Sequence, residues 1–471
     1  MIGSSVAPQA FKDSLCRAAW AYDALRSRNA ASLVPSVNVP FAIPGAGVNI
    51  CVSLVGDPPA DAEVTLTVCA GGLPAAQLQR SLELAMISGH TELEFDAVWR
   101  HGGSSTRLKW RCALVEWSIA ISMDRAADKL IGLLVHCLAS ASQAPYACEA
   151  PVPSPIDLHP AKSQHGPLAS SLQQAARRAT SQAQWAISVF QDVSPATLWP
   201  EHGGVHLVPP VDRFWADPFL AREGDRLWVF FEELLFTAPK GTIRCVSVDR
   251  SGNVGEPIDV LEEDCHLSYP NVFRHDGHWY MLPESSERGD LTLYVARTFP
   301  AEWVPVSRLL TNVRVADATL HRQDGAWWIM AGSADSPGGT LDDTLRIYTA
   351  PDLFGPWVAA SRHAVRSDPS CSRPAGPLFE WNGRWVRPVQ DCRGRYGRAL
   401  HLLEMDHLDR DGPKEHLIAS LYGDAQAGTT CTHTYCRVGN DLAVDWLRWR
   451  PRWSKRPRAP RLRFAHYRGV C

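Results

Sequence analysis

In the second half of the chain, runs of apolar β-formers alternate with polar positions and are broken by two-residue turns. Asp217-Pro218-Phe219-Leu220 leads through Asp225-Arg226 into Leu227-Trp228-Val229-Phe230-Phe231-Glu232-Glu233. Pro270-Asn271-Val272-Phe273 leads through Asp276-Gly277 into Trp279-Tyr280-Met281-Leu282-Pro283-Glu284. Asp317-Ala318-Thr319-Leu320 leads through Asp324-Gly325 into Trp327-Trp328-Ile329-Met330, and Gly376-Pro377-Leu378-Phe379 leads through Asn382-Gly383 into Trp385 to Asp391. A fainter copy runs from His433-Thr434-Tyr435 through Gly439-Asn440 to Asp445. Asp-Gly and Asn-Gly between β-formers signal hairpins, because both turn residues must accept positive φ. A repeat of about fifty residues is the length of a propeller blade. The pattern therefore predicts an all-β five-bladed β-propeller over residues 183–446. Trp185–Phe190, just ahead of the first repeat, is expected to complete the last blade.

Upstream, the period changes. Residues 1–143 read as a small α/β or α+β region. A helix is expected from Phe11 to Arg26, strands in 46–70, a return to helix in 76–90 and short strands in 93–122. Ala126–Ala141 is expected as a helix with Leu130, Leu133, Leu134 and Leu138 on one side. Residues 144–182 form a Pro/Ser/Ala-rich linker and a short helix, and 447–471 a basic Arg/Trp-rich tail.

Blade geometry turns the repeat into a functional expectation. If the first strand of each blade lines the axis and the second runs back, first-strand starts and second-strand ends share one mouth. That brings together Asp217, Pro270, Asp317, Gly376 and His433 with Glu232, Glu233, Glu284, Gln390 and Asp391. The alternative is that these are strand-end polar residues serving turns.

Composition narrows the classes. The chain has 471 residues, 45% hydrophobic and 21% charged, with a formal net charge of −3, which offers no global field for nucleic acid. Thirteen cysteines occur without paired spacing, and no clustered Cys/His set suggests a metal site. No cofactor is expected. With no secretory signal and no long apolar run, the expected location is the cytoplasm. The tail, with Arg448, Arg450, Arg452, Lys455, Arg456 and further arginines after the last acid, Asp445, suggests a peripheral contact with an anionic membrane.

Seven segments occur in order: Trp215–Leu220, Leu267–Phe273, Met281–Ser285, Ala316–Leu320, Ser372–Gly376, Gln390–Cys392 with Arg395–Gly397, and Thr432–Thr434. In this the chain resembles the N-terminal domain of plant glucosamine inositolphosphorylceramide transferases and their bacterial relatives, over about residues 183–446. In the plant enzymes the glycosyltransferase unit is a separate C-terminal domain, and nothing here resembles it. In bacterial relatives a formyltransferase-like segment precedes the propeller. Residues 1–150 occupy that place without its catalytic Asn, His and Asp pattern.

The propeller also looks like glycoside hydrolase family 43. That resemblance implies Asp217 as general base and Asp317 as an orienting carboxylate. The general acid expected to open blade four is replaced by Ala375. Glycosidic cleavage needs one protonated and one ionised carboxyl flanking the bond. Glu284 is the candidate acid if its neighbours raise its pKa. The expected catalytic set is thus Asp217, Glu284 and Asp317, with Glu233, Arg373, Asp391, Tyr396, His433 and Tyr269 as substrate-binding residues. The function expected is a carbohydrate-active propeller acting on or recognising a glycoside or glycoconjugate at an axial acidic pocket, hydrolase-like or glycosyltransferase-associated, in envelope or exopolysaccharide glycan metabolism. The alternative is a non-catalytic carbohydrate-binding or scaffold propeller.

Overall fold

The computed structural model describes residues 39–42, 49–54, 64–101, 104–141, 167–200, 203–334, 339–361, 364–423, 429–451 and 462–466. The helix expected over residues 11–26, most of the linker and much of the C-terminal segment lie outside the described residues.

Five antiparallel sheets follow one another along the chain, each built mainly from sequential strands. The first comprises Arg213–Glu223, Arg226–Leu235, Ala238–Val248 and Ile258–Leu261. The second comprises Ser268–His275, His278–Glu284, Asp290–Thr298 and Glu302–Thr311. In the third, Val315–Gln323, Ala326–Ser333 and Thr344–Ala350 are followed by Val358–Ala359 and Arg366–Ser367, which both pair with Thr344–Ala350. The fourth runs from Phe379–Trp381 through Arg384–Asp391, Ala399–Asp409 and Gly412–Gly423 to Leu462–His466. The hairpin turns fall where the Asx-Gly pairs predict them: Asp276, Gly277, Asp324, Gly325, Asn382 and Gly383 have φ of 45°, 83°, 52°, 79°, 51° and 75°. Those are the two successive positive-φ residues that a tight hairpin requires.

The fifth sheet is assembled from both ends of the β region. Thr429–Cys431 and Tyr435–Val438 pair with Asp441–Pro451, which pairs with Ser181–Phe190 and through it with Val205–Leu207. The register runs without interruption from Leu442 opposite Phe190 to Pro451 opposite Ser181. This carries the last repeat through Pro451, past the boundary at 446 expected from composition. Arg448 and Arg450 therefore sit in a strand and not in a tail, and Leu462–His466 is likewise a strand, on the edge of the fourth sheet. An arginine-rich composition reads as solvated chain, but ladder pairing with an upstream segment overrides it.

Consecutive sheets bury their apolar faces against each other. One core joins Ile187, Cys436 and Ala443 of the fifth sheet to Phe219, Val229 and Phe231 of the first and Met281 and Tyr294 of the second. Leu282, Leu293, Ile329 and Ala331 join the second to the third. Met330, Ile347, Met405 and Leu408 join the third to the fourth, and Val386, Leu400, Tyr435 and Val444 join the fourth to the fifth. Between the third and fourth sheets a buried ion triad adds to the apolar packing. Glu415 accepts from Arg387 Nε at 2.9 Å and pairs with Arg366, and all three are almost fully buried.

The N-terminal region is α+β. Val39–Ala42, Asn49–Ser53, Val64–Ala70, Glu92–His101 and Ser104–Ala113 form one sheet, with α1 (Leu78–Ile87) and α2 (Ile119–Ala141) packed on it through Leu82, Met86, Leu130 and Leu133. A third helix, α3 (Pro167–Thr180), runs directly into Ser181–Phe190. The N-terminal region docks on the third and fourth sheets. Lys129 Nζ of α2 reaches Asp343 Oδ1 at 2.8 Å, Arg111 Nη1 reaches Asp368 at 3.2 Å, and the Glu116 amide donates to the Gly394 carbonyl. No helix among the described residues is long and apolar enough to cross a membrane.

The pairing of Ser181–Phe190 generates a prediction. It buries Ile187, Val189 and Phe190. At ~1.5–3 kcal/mol for each large apolar side chain, these three contribute roughly 5–9 kcal/mol, comparable to the whole stability of a domain. Deleting residues 1–190 is expected to abolish the cooperative thermal transition followed by circular dichroism. Retention of a sharp transition would show that the strand is dispensable.

Candidate functional site

The site is built on a repeated backbone irregularity. In the first sheet, Ala216 pairs with Glu232 and Phe219 with Phe230, so Asp217 and Pro218 face the single residue Phe231. Tyr269 and Pro270 bulge in the same way opposite Pro283, and Asp317 and Ala318 opposite Ala331. The first residue of each pair is left-handed, with φ of 53° at Asp217, 45° at Tyr269 and 52° at Asp317, and Gly376 stands in the matching place with φ of 135°. Asp217 and Asp317 thus lie inside their strands, at bulges, and not at strand starts. The equivalent in the second sheet is Tyr269, not Pro270.

A bulge frees an N–H from the ladder, and each of these four finds an acceptor in one cluster. Asp217 N donates to Asp445 Oδ2 at 3.2 Å, and Tyr269 N to Asp217 Oδ2 at 3.2 Å. Asp317 N donates to Glu284 Oε2 at 3.1 Å, and Gly376 N to Tyr269 Oη at 2.6 Å. Five sheets converge here through buried polar side chains.

Two charged centres stand side by side. In one, His433 Nδ1 lies 2.5 Å from Asp445 Oδ2 and Nε2 lies 3.4 Å from Asp217 Oδ1, which also accepts from Thr434 Oγ1 at 2.8 Å. Burial opposes a charge on the imidazole, but the Asp445 and Asp217 carboxylates outweigh it and push its pKa up to about 9. Asp217 is raised from the usual carboxylate range, chiefly by burial, with the His433 charge opposing. In the other centre, Arg373 Nε donates to Asp317 Oδ2 at 2.6 Å, and Gln390 Nε2 to the same oxygen at 2.7 Å. Asp317 is also raised, again by burial first, with Arg373 opposing. Glu284 Oε1 accepts from Ser286 Oγ at 2.7 Å, and Glu284 Oε2 is 3.9 Å from Arg373.

The mouth over this cluster is aromatic. Tyr396, 41% exposed, has the Arg373 guanidinium 5.0 Å from its ring centroid and meets His433 edge-on at 5.3 Å. Trp185 stacks on the other side of the imidazole at 4.1 Å. Glu232 Oε1 is 3.2 Å from His266 Nε2, and that hydrogen bond raises the His266 pKa.

Of the expected residues, Asp217, Glu284, Asp317, Arg373, Tyr396 and His433 come together. Glu233 does not: it accepts from Trp215 Nε1 at 2.8 Å and pairs with Arg213 and Arg244. Asp391 does not either. It pairs with Arg393 at 2.9 Å and with Arg398 at 3.4 Å, and Arg393 and His401 hold its carboxyl well below the usual range against burial. In both places strand alternation sends adjacent side chains to opposite faces. Glu232 and Gln390 are the members of each pair that reach the cluster. Tyr269 belongs to it, but as a buried post whose hydroxyl is held by Thr319 and Gly376, out of a ligand's reach.

Asp445 and Trp185 are site residues the sequence reading passed over. Asp445 had a legible signal, since it closes the fifth copy of the sequence repeat as Glu284 closes the second. Also unforeseen is a relay from the N-terminal region. Arg125 of α2 donates to Asp342 Oδ2 at 3.1 Å, and Asp342 Oδ1 accepts from Arg373 Nη1 at 3.0 Å. Burial would raise Asp342, but Arg373 and Arg125 together hold it below its usual value.

Asp217, His433 and Asp445 are also close enough to present one ligand atom each to a cation, and Glu404, Asp406 and His416 form a second such group in a more exposed place. With His433 protonated near neutral pH, a cation in the first group would have to displace that proton.

The comparisons with known proteins fall on this cluster. Residues 208–433 match the family described as glucosamine inositolphosphorylceramide transferase 1, N-terminal. This segment is similar to that N-terminal domain family. Over 205 residues it is 36% identical to glucosamine inositolphosphorylceramide transferase 1 of Oryza sativa subsp. japonica, covering 43% of this chain and 27% of that protein. The protein of the same name in Arabidopsis thaliana is 28% identical over 262 residues, covering 50% and 34%. The chain therefore spans about a third or less of the curated relatives it matches. Among solved structures, the RS223 β-xylosidase aligns at a TM-score of 0.36 with 16% identity, over 45% of this chain and 78% of that one. An exo-β-1,3-galactanase from Phanerochaete chrysosporium aligns at 0.35 with 13% identity, over 47% and 52%.

Two predictions follow from the cluster's geometry. The fourth-sheet position aligned with Asp217 cannot carry a side chain: a Cβ on Gly376 would lie 2.0 Å from the Tyr435 carbonyl oxygen. Gly376→Ala is expected to cost at least about 3 kcal/mol, read as a lower urea midpoint. An unchanged midpoint would show that the backbone relaxes there. The second concerns pH. The folded His433 pKa of about 9 lies above its unfolded value of about 6.5. Its stabilising contribution is therefore complete below about pH 6.5 and is lost as pH rises to about 9. Urea denaturation of the wild type should show that decline, and His433→Gln should flatten it. An equal slope in both would place the titration elsewhere.

Proposed function

We propose that the five sheets are the blades of a five-bladed propeller, and that the mouth above Asp217, Glu284 and Asp317 recognises a glycan. The observation that carries this reading is the meeting of carboxylates from three different sheets with Arg373 beneath the exposed Tyr396 ring and His433 between two aromatic faces. Hydroxyl-rich rings are held by this combination: paired acceptors and donors fix orientation, and aromatic faces cover the apolar side of the ring. Similarity to a family named for a glycan-related transferase supports the same substrate class.

Recognition is favoured over hydrolysis. Asp217 is committed to Tyr269 N and Thr434 and paired with His433. Ala375 is fully buried, and its neighbour Gly376 has no room for an acid. One observation supports the second reading, glycosidic bond chemistry. The raised Asp217 carboxyl would retain a proton further into the neutral range than an ordinary aspartate, as an acid catalyst does, the reverse of the general-base role that the resemblance implies. The proposal extends to location: a cytoplasmic protein peripheral to an anionic membrane, supported by the arginine-rich run after Pro451.

The test is a glycan-binding screen run beside hydrolysis of aryl glycosides, on wild type, Asp217→Asn and Glu284→Gln. For a recognition site, both substitutions weaken binding about tenfold or more and no variant turns over substrate. For an enzyme, both abolish turnover and largely spare binding. If neither substitution changes binding or activity, the cluster is structural and the reading fails.

A further inference from the structure

The acidic cluster is closed in this conformation. Asp217, Glu284, Asp317, Arg373 and His433 are all buried, and Arg373 is the most accessible of them at 9%. A ligand that touches any of these side chains must first displace a cover. Two aromatic rings form that cover, Trp185 and Tyr396, and they differ in how they are held. Trp185 lies in the continuous ladder of Ser181–Phe190, opposite Leu447, so its backbone moves only with the sheet. Tyr396 sits on the loop between Arg384–Asp391 and Ala399–Asp409, flanked by left-handed glycines, Gly394 at φ 78° and Gly397 at φ 60°. Its ring packs on the Arg373 guanidinium and edge-on to His433, and its hydroxyl makes no hydrogen bond to a described residue. Tyr396 as a whole is half-exposed, yet its hydroxyl is turned inward, where burial raises its pKa well above the usual phenol range against the Arg373 charge. A ring held by a cation–π contact on a loop is the part of the cover that moves most easily.

The loop tip is pinned on both sides of this ring. The Gly397 carbonyl accepts from Thr432 N at 3.1 Å, and the Gly394 carbonyl from Glu116 N at 3.1 Å. Between those points Arg395 adds one long bond, from Nη2 to the Thr430 carbonyl at 3.4 Å. The Gly394 pin belongs to the N-terminal region. Val115 bridges Gly394 in parallel register, and a Cβ on Gly394 would lie 2.7 Å from Glu116 Oε1 and 3.0 Å from Thr91 Cγ2. The same region also holds the guanidinium on which Tyr396 rests. Arg125 Nη2 donates to Asp342 Oδ2 at 3.1 Å, and Arg373 Nη1 donates to Asp342 Oδ1 at 3.0 Å. Docking of the two regions has other anchors, Lys129 on Asp343, Thr344 and Ser367, and Arg111 on Asp368, whose partners are neither Tyr396 nor Arg373.

We propose that Tyr396 is a gate over the acidic cluster and that the N-terminal region is its latch, holding the loop at Gly394 and the guanidinium beneath the ring through Asp342. Closed, the ring seals the carboxylates. Open, the short tip between the two pinned glycines swings outward, and Arg373 with its partners Asp317 and Glu284 becomes accessible. The N-terminal region thus governs access to a cluster to which it contributes no carboxylate. That a sugar then enters rests on the glycan reading; the motion of Tyr396 does not.

The experiment places 4-fluorophenylalanine at position 396 of the full chain and records fluorine NMR without ligand. The fluorine stands on the ring axis where the hydroxyl was, so ring flips leave its shift unchanged. Wild type should show a dominant closed resonance in microsecond-to-millisecond exchange with a minor open one, read by relaxation dispersion. Arg125→Gln should raise the open population about fivefold or more, and Arg125→Lys should recover most of the closed state. Asp342→Asn cuts the same relay from its other end and should act as Arg125→Gln does. Arg107→Gln removes an exposed pair with Asp96 in the same region and should leave the spectrum unchanged. Circular dichroism checks that each variant is folded. The gate is overturned if neither wild type nor the relay variants show exchange or a second resonance. An open population equal in wild type, Arg125→Gln and Asp342→Asn overturns it too, since the N-terminal region then latches nothing. So does opening by Arg107→Gln as large as that by Arg125→Gln, which would mark general loosening. Exchange that follows Arg125 alongside a glycan screen without binding ends the glycan reading and leaves the gate standing.

Discussion

One buried carboxylate holds the β region together. Asp445 is inaccessible to solvent and accepts the backbone N–H groups of Asp217, His433 and Thr434 while pairing with the His433 ring. Asp217 belongs to the first sheet and Asp445 to the last, so this group ties the two ends of a long stretch of chain. A lone buried carboxylate would be strongly unfavourable. Three amides and an imidazolium make it tolerable, and removing any one leaves the others poorly compensated. Placing His433 between Asp445 and Asp217 also sets its charge. Closure of the fold and electrostatics of the site are thus one interaction seen from two sides.

The same economy recurs at the bulges. A left-handed residue in an inner strand turns its N–H out of the ladder, and a carboxylate from the preceding sheet accepts it, Asp445 for Asp217 and Glu284 for Asp317. These acids are needed structurally whether or not a ligand is present. Their clustering alone is therefore weak support for catalysis. The features a purely structural account does not require are the exposed Tyr396 above Arg373, the stacked Trp185, and the half-exposed His266 held by Glu232. Those are the groups a ligand would meet first.

The N-terminal region, which by sequence carries no motif, is electrically part of the site. Arg125 steadies Asp342, Asp342 steadies Arg373, and Arg373 neutralises Asp317. Lys129 adds a buried anchor on Asp343, Thr344 and Ser367. The orientation of the Arg373 guanidinium is thereby determined from both regions of the chain.

Local pattern was enough to read the elements. Asx-Gly pairs between β-formers can do little but turn back, so the hairpins were legible. So was the closing partnership of Trp185–Phe190, because the last repeat lacked chain for its outer strands. The ordered segments from Trp215 to Thr434 pointed to the family. What local pattern could not supply was phase. Adjacent acids such as Glu232 and Glu233, or Gln390 and Asp391, differ only in which face they occupy. A single bulge residue shifts that assignment, which is why Pro270 was read in the place Tyr269 holds. Nor could composition show that Arg448 and Arg450 lie in a ladder, or that Arg125 reaches Asp342, since partners two hundred or more positions apart leave no mark on the local sequence. The chain by itself determined which residues form strands and turns, through backbone preference and alternation. Only the tertiary structure decided which side chains share a buried space, because burial and charge pairing depend on neighbours that the fold alone brings together.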